Sequence, residues 1–172
     1  MSLPNPCGGC GAPCCKDYLI TITSFDAVRI SCNSKKEFEE FCELVPARLL
    51  NLNYDTVLEC YQDGVMHEYL LALKSHPCVF LNEKNKCTIH DFAPYVCRAY
   101  PYNSAKRLIG RARCNFFQKA AFFLAGVSIS PDEHSAQLNK YVEIVTAWNK
   151  TKGKKEDCIK FIMEKSNARS RI

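Results

Sequence analysis

Apolar and polar positions change period several times along this chain, and each change marks an element. Tyr18 to Thr23 alternates, with Tyr18, Ile20 and Ile22 on one face, and predicts a short strand. Thr23 or Ser24 caps a short helix through Ile30. After Ser34, Phe38, Phe41, Cys42 and Val45 recur at helical spacing and predict a second helix ending at Pro46. A helical turn over Val57 to Tyr61 and a turn at Gly64 lead to a strand from Glu68 to Lys74. Val79 to Leu81 and Cys87 to Ile89 flank Asn82-Glu83-Lys84-Asn85 as a β-hairpin, with Leu81 placed opposite Lys86. In that register Cys78 and Cys87 share one face; a five-residue loop would put them on opposite faces.

Pro94 opens a short turn or helix that carries Cys97 and Arg98 and stops before Pro101. A strand over Leu108 to Cys114 and a helix over Gln118 to Leu124 follow. The clearest helix starts at Ser130, where Pro131 takes the first helical position and Glu133 completes a capping box. Leu138, Tyr141, Val142, Val145 and Trp148 form its apolar stripe, and Gly153 breaks it. A last helix runs from about Glu156 to Asn167, with Cys158, Phe161 and Ile162 inward. The fold class expected is α+β: a small antiparallel sheet, cysteine-rich metal-binding loops and a helical C-terminal third. At 172 residues the chain suits a single domain over 4–172, divided into a cysteine-rich core (4–115) and a C-terminal helical extension (116–172).

Residues 4–17 fit neither period. They are rich in Gly, Pro and Cys, a loop whose shape a bound ion would impose. Eight of the twelve cysteines form a pattern that packing alone does not produce: Cys7-x2-Cys10-x3-Cys14-Cys15, then Cys78, Cys87, Cys97 and Cys114. Thiolate is a strong soft ligand, and a two-residue gap lets two cysteines grip one ion. Gly8, Gly9 and Gly11 let the backbone turn its amides toward sulfur. Cys14 and Cys15 are adjacent, so their side chains are expected to diverge, toward two sites or with one merely buried. Lys16, Lys86, Arg98, Arg111 and Arg113 flank the motif cysteines, and positive charge favours the thiolate. All eight are candidate ligands for zinc or an iron–sulfur cluster, with His76 and His90 as further candidates and Asp17 and Asp91 as supporting acceptors. Cys32, Cys42, Cys60 and Cys158 read as packing, and His67 and His134 as incidental.

Charge and composition exclude more than they assign. The excess of +5 lies wholly in residues 150–172, which hold eight basic and three acidic residues. No aromatics interleave with Lys152, Lys154 and Lys155, so a nucleic acid is not the expected partner. No apolar stretch is long enough for a membrane span. Met1 to Pro6 lacks the basic and apolar regions of a secretory signal, so a reduced cytoplasmic setting is expected. The order C-x2-C-x3-C is not the C-x3-C-x2-C of radical S-adenosylmethionine enzymes, and no phosphate-binding glycine loop is present.

These segments resemble a zinc- or iron-chelating family marked by a CxxCxxxCC motif and eight characteristic cysteines. The likeness rests on Cys7-Gly-Gly-Cys10-Gly-Ala-Pro-Cys14-Cys15, Cys78-Val-Phe-Leu, the run from Cys87 through Cys97-Arg-Ala-Tyr-Pro101, and Cys114. It covers roughly residues 7–115. The chain departs at Ala93, where the family has arginine, and at His90, where it has tyrosine. Some relatives look like flagellin lysine methylases and others are described as iron–sulfur oxidoreductases. The resemblance therefore implies metal binding through the eight thiolates. Alternatives are an iron–sulfur enzyme, oxidoreductase or protein-lysine methyltransferase-like, and a zinc-ordered adaptor for a protein partner with a basic tail.

Overall fold

The computed structural model describes residues 11–50, 54–102, 113–114 and 131–169. Its centre is a three-stranded antiparallel sheet of order β1-β3-β2, formed by β1 (Cys42–Pro46), β2 (Leu58–Gln62) and β3 (Val65–Leu73). With the helices packed around it, the fold is α+β, as expected. β2 and β3 form a hairpin with Gln62 opposite Val65. Asp63 (φ 50°) and Gly64 (φ 79°) both take left-handed conformations, the arrangement an Asp-Gly two-residue turn favours because its twist matches that of the strands.

β3 organises the sheet because its apolar run Leu70-Leu71-Ala72-Leu73 is buried on both faces. Leu71 and Leu73 join the main core with Ile30, Phe41, Leu58, Phe80 and Trp148. Leu70 and Ala72 point the other way, into a smaller cluster with Val45, Ala47 and Val57. The segment around Thr21 continues the line of β2 beside β3: Ile22 N–H donates to Leu71 O (3.0 Å) and Leu73 N–H to Ile20 O (2.9 Å). The strand expected at Tyr18–Thr23 is thus extended and sheet-bonded, but it pairs through one bridge only.

Two helical expectations give way to strands. Only one turn of the helix read after Ser34 forms, α3 (Phe38–Phe41), and from Cys42 onward the chain pairs as β1 with β3. The apolar stripe was real, but Leu44 and Val45 are buried on opposite faces of a sheet, which a helix cannot arrange. Leu58 to Tyr61 of the expected helical turn likewise enters β2, because Leu58 and Cys60 alternate into the core once the Asp63–Gly64 turn folds them onto β3. The strand read at Leu108–Cys114 lies almost wholly outside the described residues. The helix read at Gln118–Leu124 lies wholly outside them, as does the Ser130 cap.

The last two helices expected, on either side of Gly153, are both present. α5 (Pro131–Asn149) buries Tyr141, Ile144, Val145 and Trp148, and α6 (Lys155–Arg169) buries Cys158, Ile162 and Met163. Near the amino end, α1 (Pro13–Asp17) is short, while α2 (Ser24–Ser34) carries a full capping box. Ser166 Oγ of α6 donates to Ser24 Oγ of α2 (2.5 Å) inside their contact. The end of α5 and the loop after it close the outer edge of β2. Glu59 N–H donates to Asn149 Oδ1, Asn149 Nδ2 to Val57 O, Trp148 Nε1 to Glu59 O and Tyr61 N–H to Gly153 O, each at 2.9 Å. An edge satisfied in this way offers no template for another chain. Among the described residues no helix is long and apolar enough to cross a membrane.

Gly153 is the point where this closure is tightest. A Cβ there would lie 2.4 Å from Trp148 Cη2, and the indole is held by its bond to Glu59. Gly153→Ala is expected to lose about 1–3 kcal/mol in urea unfolding through overpacking. An unchanged midpoint would show that the ring moves aside freely.

Candidate metal centre

The two cysteine-rich stretches, far apart in sequence, meet in space. Cys78 N–H donates to Cys15 O at 2.8 Å, and His76 Nδ1 lies 3.3 Å from Lys16 O. Cys14 and Cys15 occupy α1, opened by Pro13 at a position where the missing N–H costs nothing. Their sulfurs are 3.9 Å apart, so the adjacent side chains converge rather than diverge as their neighbouring positions implied.

Cys87 comes from the hairpin, in a register other than the one expected. Leu81 pairs with Cys87, and Asn82 N–H donates to Lys86 O (3.0 Å), which makes a five-residue loop. The Asn82 side chain decides this: its Oδ1 accepts from Lys84 N–H (3.0 Å) and Lys86 N–H (2.9 Å), stabilising the longer turn. A regular ladder in that register would send Cys78 and Cys87 to opposite faces. Residues 75–80 are instead a chain of turns, and both cysteines line the same cavity.

Cys97 lies on α4 (Tyr95–Ala99); of the turn or helix expected after Pro94, the helix forms. Its position is set from α2. Asp26, 3 % exposed, accepts from Tyr95 N–H (3.2 Å), Thr23 N–H (3.1 Å), Thr23 Oγ1 (3.0 Å) and Arg29 Nη2 (2.5 Å). Arg29 in turn donates to Phe92 O (3.3 Å) and Ala93 O (3.1 Å), which holds the strap between Cys87 and Cys97 against the helix. Sequence reasoning missed this anchor, although Thr23-x-x-Asp26 is legible as a capping pair.

Cys14, Cys15, Cys78, Cys87 and Cys97 line one cavity of about 690 Å³, together with His76, His90 and Arg98. Cys114 is buried but is not part of that lining; it lies beside Tyr100, a wall residue whose hydroxyl accepts from Arg113 N–H at 2.7 Å. Arg113 also pairs with Asp17. Cys7 and Cys10 lie outside the described residues. Cys32, Cys42, Cys60 and Cys158, read as packing, are absent from the cavity wall; Cys60 and Cys158 are buried neighbours under Trp148. His134 stacks on Tyr95 with ring centroids 3.6 Å apart.

The electrostatics of the cavity oppose free thiolates, with one exception. Burial pushes the thiols of Cys78, Cys87 and Cys97 upward, most strongly at Cys97, where Cys78, Cys87 and Cys14 add like charge. Two backbone amides work against burial, Phe80 N–H at Cys78 and Ile89 N–H at Cys87, each two residues beyond its sulfur. The Cys14 thiol is pulled down to about 7, chiefly by the Cys15 thiol bonded to it, while Cys15 is pushed up by the same contact. A single proton between the pair thus gives one ready thiolate near neutral pH.

Whether this donor set fits a metal can be judged from the Cys14–Cys15 pair. Zn–S bonds of about 2.3 Å at the tetrahedral angle put two sulfurs about 3.8 Å apart. The observed 3.9 Å matches that edge. Among the described residues no three donor side chains are gathered around one point closely enough to hold an ion as they stand.

No curated protein and no solved structure matches the chain. A family model does, over residues 6–121, a span that contains the five cysteines of the cavity. The chain belongs to the CxxCxxCC family, described as a putative zinc- or iron-chelating domain.

Proposed function

We propose that this protein holds zinc or iron through clustered cysteine thiolates, as a single-domain cytoplasmic metal-binding protein. Cys7, Cys10, Cys14 and Cys15 form one arm of the site, and Cys78, Cys87, Cys97 and Cys114 the other. The observation that carries this reading is the common cavity of five sulfurs with the Cys14–Cys15 edge at 3.9 Å. Two sulfurs at that spacing suit a tetrahedral ion that takes both thiolates, as zinc does. They suit less well a four-iron cluster, in which four thiolates serve four irons. When bound, such a cation supplies the charge that burial withholds from the thiols, so a side-chain closure onto the ion is favourable.

Anaerobic purification followed by elemental analysis tests the reading. One or two equivalents of zinc or iron per chain are expected, since eight thiolates fill at most two four-coordinate shells. A colourless zinc protein supports the tetrahedral site, and acid-labile sulfide in a brown one supports a cluster. Metal-free protein that stays fully folded would remove the basis of the reading.

A pH dependence follows from the raised thiols. Cys78, Cys87 and Cys97 are protonated at neutral pH without metal, and each must lose its proton to bind. Apparent zinc affinity is therefore expected to fall as pH falls, by up to about tenfold per pH unit for each proton displaced. Chelator competition at several pH values reads this directly. A flat profile would mean that these sulfurs do not bind the ion.

A further inference from the structure

The cavity is far larger than an ion requires. Structural zinc sites are closed, whereas cavities of about 300–1,000 Å³ lined mainly by apolar side chains take organic ligands. Here about 690 Å³ is walled by Tyr18, Ile20, Leu73, Phe80, Ile89 and Tyr100 beside the sulfurs. Leu49 and Val96 also line it while remaining 62 % and 42 % exposed, so they mark its open rim.

One polar group in that wall stands out. Arg98 follows Cys97 on α4 and lines the cavity, and its buried Nε–H has no acceptor among the described residues. Burial and the neighbouring Arg29 charge disfavour the Arg98 guanidinium; the carboxylates of Asp26, which Arg29 already engages, and of Glu133 offset part of this. A buried donor without a partner is costly, and an anionic group is the partner that would relieve it most.

We propose that this cavity binds an organic acid with an apolar body, its anionic head on Arg98 and its hydrocarbon against the aromatic and aliphatic wall beside the metal centre. The proposal rests on the metal-binding reading only for the identity of the neighbour. The wall and the guanidinium are properties of the chain itself.

The test uses the zinc-loaded full chain and the fluorescent probe anilinonaphthalene sulfonate, displaced by decanoate or by decanol, with metal content measured on every sample. Decanoate is expected to displace the probe at about tenfold lower concentration than decanol, reflecting a charge-assisted bond. Arg98→Gln is expected to abolish that preference while leaving decanol unchanged, and Arg98→Lys to restore part of it. Acid and alcohol binding equally well in the unaltered protein, or no saturable displacement, would overturn the proposal whether or not a variant folds. So would an Arg98→Gln protein that loses metal but keeps the acid preference, since the guanidinium would then serve the ion. A chain that carries no metal yet keeps the acid preference would leave this proposal standing and remove the metal-binding reading.

Discussion

Asp26→Ala is expected to cost the fold about 3 kcal/mol, the largest single effect outside the cysteines. The carboxylate is 3 % exposed and serves four donors: Thr23 N–H, Thr23 Oγ1, Tyr95 N–H and Arg29 Nη2. Truncation removes the N3 half of the capping box on α2, takes the carboxylate partner from Arg29, which keeps its bonds to Phe92 O and Ala93 O, and removes the acceptor of Tyr95 N–H. Breaking a buried charge pair in this way costs about 3–5 kcal/mol. Arg29 keeps 25 % of its side-chain surface in water, which places the expectation at the lower end. Asp26→Asn retains an acceptor oxygen and should cost about 1–2 kcal/mol. Urea unfolding of both variants measures the effect. A loss below about 1 kcal/mol for alanine would show that Tyr95 and Arg29 find other partners. Because Asp26 and Arg29 fix α4, the same variant is also expected to loosen Cys97.

The second large effect concerns Cys97 itself. Cys97→Ser is expected to lower zinc affinity by about a hundredfold or more, since structural zinc sites draw about 10–16 kcal/mol from roughly four ligands. Cys32→Ala, which removes an exposed cysteine away from the cavity, is expected to leave metal content unchanged. Chelator competition compares the affinities directly. Zinc should raise the melting temperature of the unaltered chain, because an ion bound only by the folded state stabilises it by mass action. Equal affinities for the Cys97 and Cys32 variants would exclude Cys97 from the shell.

Much of the local structure was legible in residue order. Thr23 as a cap, Pro94 opening the helix of Cys97, and the paired C-terminal helices separated at Gly153 all follow from short-range chemistry. The misreadings share one cause. Cys42–Pro46 and Leu58–Gln62 are strands because β3 offers an open ladder on each side. Neither segment's own period reveals that partner.

The candidate site divides in the same way. Cysteine spacing singled out the sulfurs, because ligand chemistry is a property of residue type and short separation. Their meeting could not be read so directly. The bond from Cys78 N–H to Cys15 O and the convergence of Cys14 with Cys15 depend on backbone paths set by the sheet and by the Asp26–Arg29 anchor. The apolar cavity and the buried Arg98 Nε–H in its wall have no sequence signature, since wall residues from Tyr18 to Tyr100 look like ordinary core until the chain encloses a space with them. The amino-acid sequence by itself determined which atoms are able to ligate and where the helices after Thr23 and Pro94 begin, both matters of short-range chemistry. Only the tertiary structure decided which strands pair, which sulfurs face one another and what room lies beside them, because those depend on long-range packing between segments that carry no mark of each other.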